Sequence, residues 1–251
     1  RQMCIRDRFC KFQFEEKYRI FSKYSNLKII APSTWLFHLA STSLLFKNKQ
    51  LIHIPNLCDI NIFKPMGKGW AKRLFNLSES KKLILFGAAT GGMGNIYKGW
   101  EYLQKAILHL STSSYEAVIF GEYNKTVEKQ LPIKCNFIGK LYDEYSLSVL
   151  YNAADVFVTP SLADNFPNTI LESLSCGTPV VAFNVGGIPD LIMHKSNGYL
   201  AHYKDCEDLK KGIEWCVSQY SIQEVCRSSI IKKYSPSLII EKHKKLMYGK
   251  I

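Results

Sequence analysis

Apolar residues fall into short continuous runs, each closed by glycine or a polar turn and separated from the next by an amphipathic stretch. Lys82–Ala88 is such a run, and further ones lie at Ala117–Phe120, Cys135–Ile138, Asp155–Thr159, Pro179–Phe183 and Gly198–Ala201. A strand that is apolar on both faces belongs inside a parallel sheet covered by helices. Helical spacing predicts helices over Gly99–Leu110, Tyr145–Ala154, Ile170–Cys176, Asp205–Val217, Ile222–Lys233 and Pro236–Met247, with a short one at Gly187–Met193. Strands alternating with helices in this way predict an α/β fold built on a doubly wound, Rossmann-like parallel sheet.

Upstream, strands at Lys28–Ala31 and Leu51–Ile54 flank an amphipathic helix at Thr34–Leu45, with Ser33 as its N-cap. This is expected to be the remnant of a second α/β domain. Pro55–Pro65 (PNLCDINIFKP) has proline at both ends and polar turn residues inside, and reads as a linker and domain boundary. The expected organisation is a remnant with its linker over 9–65, a ligand-binding domain over 66–235 and a C-terminal helix over 236–251. The first eight residues, RQMCIRDR, match one frame of a transposase adapter when read back into codons. Three of the six arginines fall there, in a chain otherwise heavy in lysine. Arg1–Arg8 is therefore expected to be translated adapter, outside the fold.

Composition narrows the classes. Hydrophobic residues make up 47% of the chain, a globular proportion. No apolar run reaches the roughly 18 residues of a membrane span, and no apolar core of a secretory signal follows the charged first residues. A cytoplasmic location is expected. The net charge of +12 suits an anionic partner such as a nucleotide or a lipid phosphate, and leaves room for peripheral contact with the inner membrane face. Nucleic acid is not expected, because no motif or clustered aromatic–basic face accompanies the charge. The cysteines form no C-x-x-C and no zinc spacing, so no metal is expected.

The richest chemistry lies in Pro160–Asp190, PSLADNFPNTILESLSCGTPVVAFNVGGIPD. Pro167 suits the first turn of a helix, with Asn165 or Phe166 near its cap. Ile170, Leu171 and Leu174 form its apolar face, and Gly177 with Pro179 ends it. Backbone N–H groups around Asn165, Phe166, Pro167, Asn168 and Thr169 then make an anion site suited to a diphosphate. Glu172, one turn in, is placed to accept from ribose hydroxyls, and Asp164, before the helix, to meet a sugar. Either acid alone reads equally well as a solvated or capping carboxylate. In a doubly wound sheet ligands bind at the C-terminal strand ends, which adds the loops beginning at Gly87 and Gly139. The glycine-rich stretch Gly87–Gly99 is neither a P-loop nor G-x-G-x-x-G. Lys98 at its end can neutralise a diphosphate leaving group.

Together these segments resemble retaining glycosyltransferases of family 4, which have the GT-B fold. The family pattern P-S-x-x-E-G-F-P-x-x-x-x-E-A-x-A-x-G-x-P-V-V-A, followed by V-G-G-x-P-E, corresponds to Pro160–Asp190. PNLCDINIFKP resembles the interdomain segment P-N-G-I-D-x-x-x-F-x-P, Lys98-Gly99 a K-G landmark, and FIGKLYDEYSLSVLYNAADVFVTPS the run into the motif. The resemblance implies a C-terminal donor domain for a UDP- or GDP-linked sugar, with the end of the N-terminal acceptor domain before it. It matches Glu172 to the ribose-holding Glu, Asp164 to the residue at the donor sugar and Lys98 to a diphosphate-binding Lys. It implies transfer with retention to a hydroxyl of a glycan or lipid-linked acceptor, in bacterial surface polysaccharide or glycan synthesis. No cofactor is implied, since the nucleotide-sugar is the substrate. Asp164 is one methylene shorter than the family's Glu, Asn165 replaces a Gly, and Met93 stands where an Arg is usual. With most of the acceptor domain outside the chain, weak donor binding and little turnover are expected. A non-catalytic nucleotide-sugar-binding subunit, a GT-B epimerase and a sugar phosphorylase are the competing readings.

Overall fold

The computed structural model describes residues 8–88, 95–121 and 131–249. The chain divides into two compact units, Arg1–Pro55 and Asn56–Ile251. Of the expected adapter stretch Arg1–Arg8, only Arg8 is among the described residues.

The first unit begins with α1 (Arg8–Ser22), which is not among the predicted helices. Then β1 (Lys28–Ala31), α2 (Thr34–Ser41) and β2 (Gln50–His53) form a parallel strand–helix–strand unit. Ser33 caps α2, its hydroxyl accepting from the Leu36 N–H at 3.0 Å. The helix stops at Ser41, short of the expected Leu45, where Thr42 turns its N–H back onto Ala40 and His38 carbonyls.

The second unit holds α3 (Lys68–Leu74), β3 (Lys82–Ala88), α4 (Trp100–Ile107), β4 (Tyr115–Gly121), β5 (Cys135–Gly139), α5 (Glu144–Ala153), β6 (Val156–Thr159), α6 (Asn168–Ser175), β7 (Val180–Phe183), β8 (Gly198–Ala201), α7 (Cys206–Ser218), α8 (Ile222–Tyr234) and α9 (Pro236–Tyr248). Among the described residues its strands form one six-stranded parallel sheet in the order β5-β4-β3-β6-β7-β8. Counted from β3, that is 3-2-1-4-5-6, the Rossmann order. The order reverses between β3 and β6, so a crevice opens beyond their C-terminal ends.

Side chains alternate across this sheet, which explains why the strands read as continuous apolar runs. Leu83, Leu85, Phe157, Val180 and Ala182 are buried on one face against α5, α6 and α8. Ile84, Phe86, Val156, Val158 and Phe183 are buried on the other against α4 and α7. The expected doubly wound α/β sheet is the fold found.

Residues 56–65, read from the sequence as a linker, pack into the second unit, where Cys58 and Phe63 are buried. Arg227 on α8 donates to the carbonyls of Ile60 (2.9 Å), Phe63 (2.6 Å) and Ser175 (3.0 Å). Ser148 donates to Ile62 O and Asn152 to Lys64 O. The helix over 236–251 was expected as a separate element and is α9, in the same unit.

Candidate active site

The site is built where the chain crosses the C-terminal ends of β3 and β6. Before α4, residues Ile96–Lys98 make a 3-10 turn capped by Asn95, whose side chain accepts from Tyr97 N–H at 3.0 Å. This turn lies against the segment that leaves β6, with Leu162 N–H donating to Tyr97 O at 2.8 Å. Gly99 makes the approach possible. Its φ is +67°, and a Cβ there would come within 1.9 Å of Pro160 O. The K-G pair is thus one device: the glycine lets the turn close on Pro160, and Lys98 is carried to Asp164. Lys98 Nζ lies 4.0 Å from Asp164 Oδ2, both half-buried.

Asp164 is held from the other side by the turn after β7. Gly187 N–H donates to Asp164 O at 3.1 Å. Burial pushes the Asp164 carboxyl above the usual carboxylate value, while Lys98 and the Asn165 N–H pull it back only in part.

The helix runs Asn168–Ser175, starting two residues before the predicted Ile170. Pro167 is the N-cap rather than the first helical residue, because its ψ of 118° is extended. Its carbonyl accepts from Ile170 N–H at 3.1 Å and closes the first turn. No side chain caps this end, which leaves the dipole of α6 facing the crevice. The expected binding residues there divide. The Phe166 side chain is buried against Tyr234, ring centroids 5.6 Å apart, so only its backbone is open to the crevice. Asn168 is exposed and accepts from Asn56 Nδ2 at 2.9 Å. Asn165 and Thr169 are half-buried at the rim.

Glu172, one turn along α6, is half-buried and accepts from the Tyr151 hydroxyl at 3.0 Å. Burial pushes its carboxyl up to about 7; Tyr151 pulls it down and the Glu144 carboxylate pushes it up. It borders a small pocket of about 140 Å³ with Cys58, Asp59, Phe63, Glu144 and Asn168. Sequence reasoning missed Tyr151 and Asn56, because nothing local links them to the motif. Gly87, the penultimate residue of β3, and Gly139, the last of β5, lie at the same edge of the sheet. Residues 89–94, with Met93, and 122–130 lie outside the described residues.

A larger cavity of about 550 Å³ lies at the opposite edge, lined by Lys68, Lys82, Asp155, Pro179 and Glu214. It sits at the N-terminal strand ends, away from the crevice where such sheets bind ligands. Among the described residues no group of three or more His, Cys, Asp or Glu side chains is placed to hold a metal ion.

Known proteins resemble this chain in sequence or in fold. An uncharacterized glycosyltransferase of Methanocaldococcus jannaschii is 30% identical over 176 residues, covering 65% of this chain and 44% of that protein. The sucrose-phosphate synthase of Thermosynechococcus elongatus superposes with a TM-score of 0.77 at 21% identity, over 92% of this chain and 60% of its own. Anabaena HepE, solved in complex with UDP and glucose, superposes with a TM-score of 0.73 at 17% identity, over 93% and 66%. The chain spans less than half the length of the M. jannaschii relative. The two structural likenesses are of fold, and the fold is the GT-B type the sequence led one to expect. The family described as glycosyl transferases group 1 matches residues 84–219, more than half of the chain and every strand of the large sheet but the first residues of β3. The chain belongs to the glycosyl transferases group 1 family.

Proposed function

We propose that the chain is the donor-binding part of a retaining glycosyltransferase of the family 4 type, moving a sugar from a nucleoside diphosphate to an acceptor hydroxyl. The observation that carries this reading is the 4.0 Å approach of Lys98 Nζ to Asp164 Oδ2 at the switch point of the sheet, beside an uncapped helix start. A cation, an acid and a helix dipole converge where a sugar diphosphate would lie across the strand ends. HepE, with the same fold, was solved with UDP and glucose.

In this reading Glu172 accepts from the ribose hydroxyls. Backbone N–H groups near Asn165, Asn168 and Thr169 face the diphosphate, and the strand ends at Gly87 and Gly139 border the nucleotide. Asp164 accepts from hydroxyls of the transferred sugar. The bond from the anomeric carbon to the β-phosphate oxygen breaks and leaves negative charge on the diphosphate, which Lys98 and the α6 dipole stabilise. The acceptor oxygen bonds to the anomeric carbon on the same face, and its proton passes to the departing diphosphate. The acceptor is a glycan or lipid-linked hydroxyl in surface polysaccharide synthesis, at the cytoplasmic face of the membrane. No described helix is long and apolar enough to cross one.

Calorimetric titration of UDP and GDP into the chain tests the assignment. One diphosphate is expected to bind, and Lys98→Ala to weaken it about tenfold, as loss of a charge-assisted contact does. The parent nucleoside should bind both forms equally. Equal diphosphate affinity for both forms would reject the site. Donor binding without transfer, in a protein that also carries an acceptor domain, would mark a nucleotide-sugar-binding subunit instead.

A further inference from the structure

Tyr151 is fully buried on α5, and its ring meets Phe63, Phe120 and Phe157 edge-on at centroid distances of 6.3, 6.4 and 5.4 Å. Its backbone carbonyl is held by the Thr178 hydroxyl at 2.7 Å. Neither ring nor backbone has room to move. For packing among these aromatic rings a phenylalanine would serve, so the hydroxyl asks for its own explanation. It donates to Glu172 Oε2 at 3.0 Å. A rotamer of Glu172 that let go would strand a buried hydroxyl, which is costly.

We propose that Tyr151 is the positioning residue of Glu172: its fixed hydroxyl holds Oε2, so that Oε1 is the oxygen presented to the ribose hydroxyls of the donor nucleotide. The inference rests on the ribose role given to Glu172 above. The same hydrogen bond favours the ionised carboxylate, which is the form that accepts two hydroxyl protons. The other groups that face Glu172 work against ionisation or stay neutral. Glu144 on α5 repels it, Asp59 borders the same pocket, and the thiols of Cys58 and Cys176 are pushed up to about 12 by burial.

The test is titration of UDP, and of UDP lacking both ribose hydroxyls, into the chain and its Tyr151→Phe, Glu172→Ala and Glu172→Gln variants from pH 5.5 to 9. Melting temperatures are measured alongside. Tyr151→Phe is expected to weaken UDP about tenfold near pH 7 and to move the midpoint of the pH profile upward. It should leave the dideoxy ligand unaffected and add nothing in a Glu172→Ala background. A lower melting temperature with unchanged UDP affinity and midpoint would make Tyr151 a core residue only. Weakening by Glu172→Ala but not by Tyr151→Phe would overturn this inference alone. No weakening by either would overturn the ribose role of Glu172 along with it.

Discussion

The carbonyl oxygen of Asp164 occupies the space that a side chain on Gly186 would need: a Cβ at Gly186 would lie 2.0 Å from it. Gly186 also has φ of +61°, a left-handed conformation that L-residues adopt at a cost of about 1–2 kcal/mol. The loop bearing the site acid and the turn after β7 therefore touch backbone to backbone, with the Gly187 hydrogen bond beside the contact. Gly186→Ala must displace the Asp164 loop from its present place beside Lys98. In the proposed site the damage falls on the sugar end of the donor. Calorimetry should show UDP-glucose weakened about tenfold or more, with UDP alone changed much less. Equal loss for both ligands would detach Asp164 from sugar recognition.

At the other end of the sheet Asp155 anchors β3 and β6. It accepts from Lys68 at 3.0 Å, Lys72 at 3.1 Å and the Leu83 N–H at 2.9 Å. Burial opposes its ionisation, but these three partners outweigh it and hold the carboxyl below the usual range. Lys72 is only 4% exposed, so Asp155→Asn leaves a buried ammonium without its counter-charge. The expected cost is about 3–5 kcal/mol, seen in urea unfolding at pH 7. A group with a depressed folded pKa stabilises above its unfolded pKa, and that stabilisation is lost as pH falls through the folded value. The gap between wild type and Asp155→Asn should thus close below about pH 4. A gap that persists unchanged at pH 2.5 would mean that the carboxylate charge is not the cause.

The strands and the site motif were legible in the sequence for the same reason: both are local. Leu83–Phe86 and Val156–Val158 are apolar at every position because both faces are covered, and that leaves a visible run. Lys98, Asp164 and Glu172 each sit on a recognisable turn or helix start. What failed to show depends on residues far apart in the chain. Residues 56–65 have the composition of a tether, and what fixes them is Arg227, more than 160 positions on. Tyr151 meets Glu172 only because α5 and α6 pack side by side. Helix α3 was missed because Gly69 interrupts a seven-residue pattern too short to show a period. Pro167 suits both the first turn and the cap, and only its ψ decides between them.

Under the proposed ribose role, Glu172 sets function against stability. Burial raises its carboxyl from the ordinary 4.5 to about 7, so the folded protein holds a proton there that the unfolded chain has released. Between those values the native state binds more protons than the unfolded state, and stability falls as pH rises. At 1.4 kcal/mol per pH unit the loss approaches about 3 kcal/mol and is complete slightly above pH 7. Glu172→Gln keeps an acceptor for Tyr151 and carries no charge, so it escapes this loss. Its melting temperature should match wild type near pH 4, rise above it between pH 5 and 7, and keep a constant lead at higher pH. Under the proposed ribose role its affinity for UDP should show the reverse, matching wild type at pH 5.5 and trailing it at pH 8, where only wild type carries the charge. A lead in melting temperature that did not depend on pH would place the cause in packing rather than in the buried carboxylate.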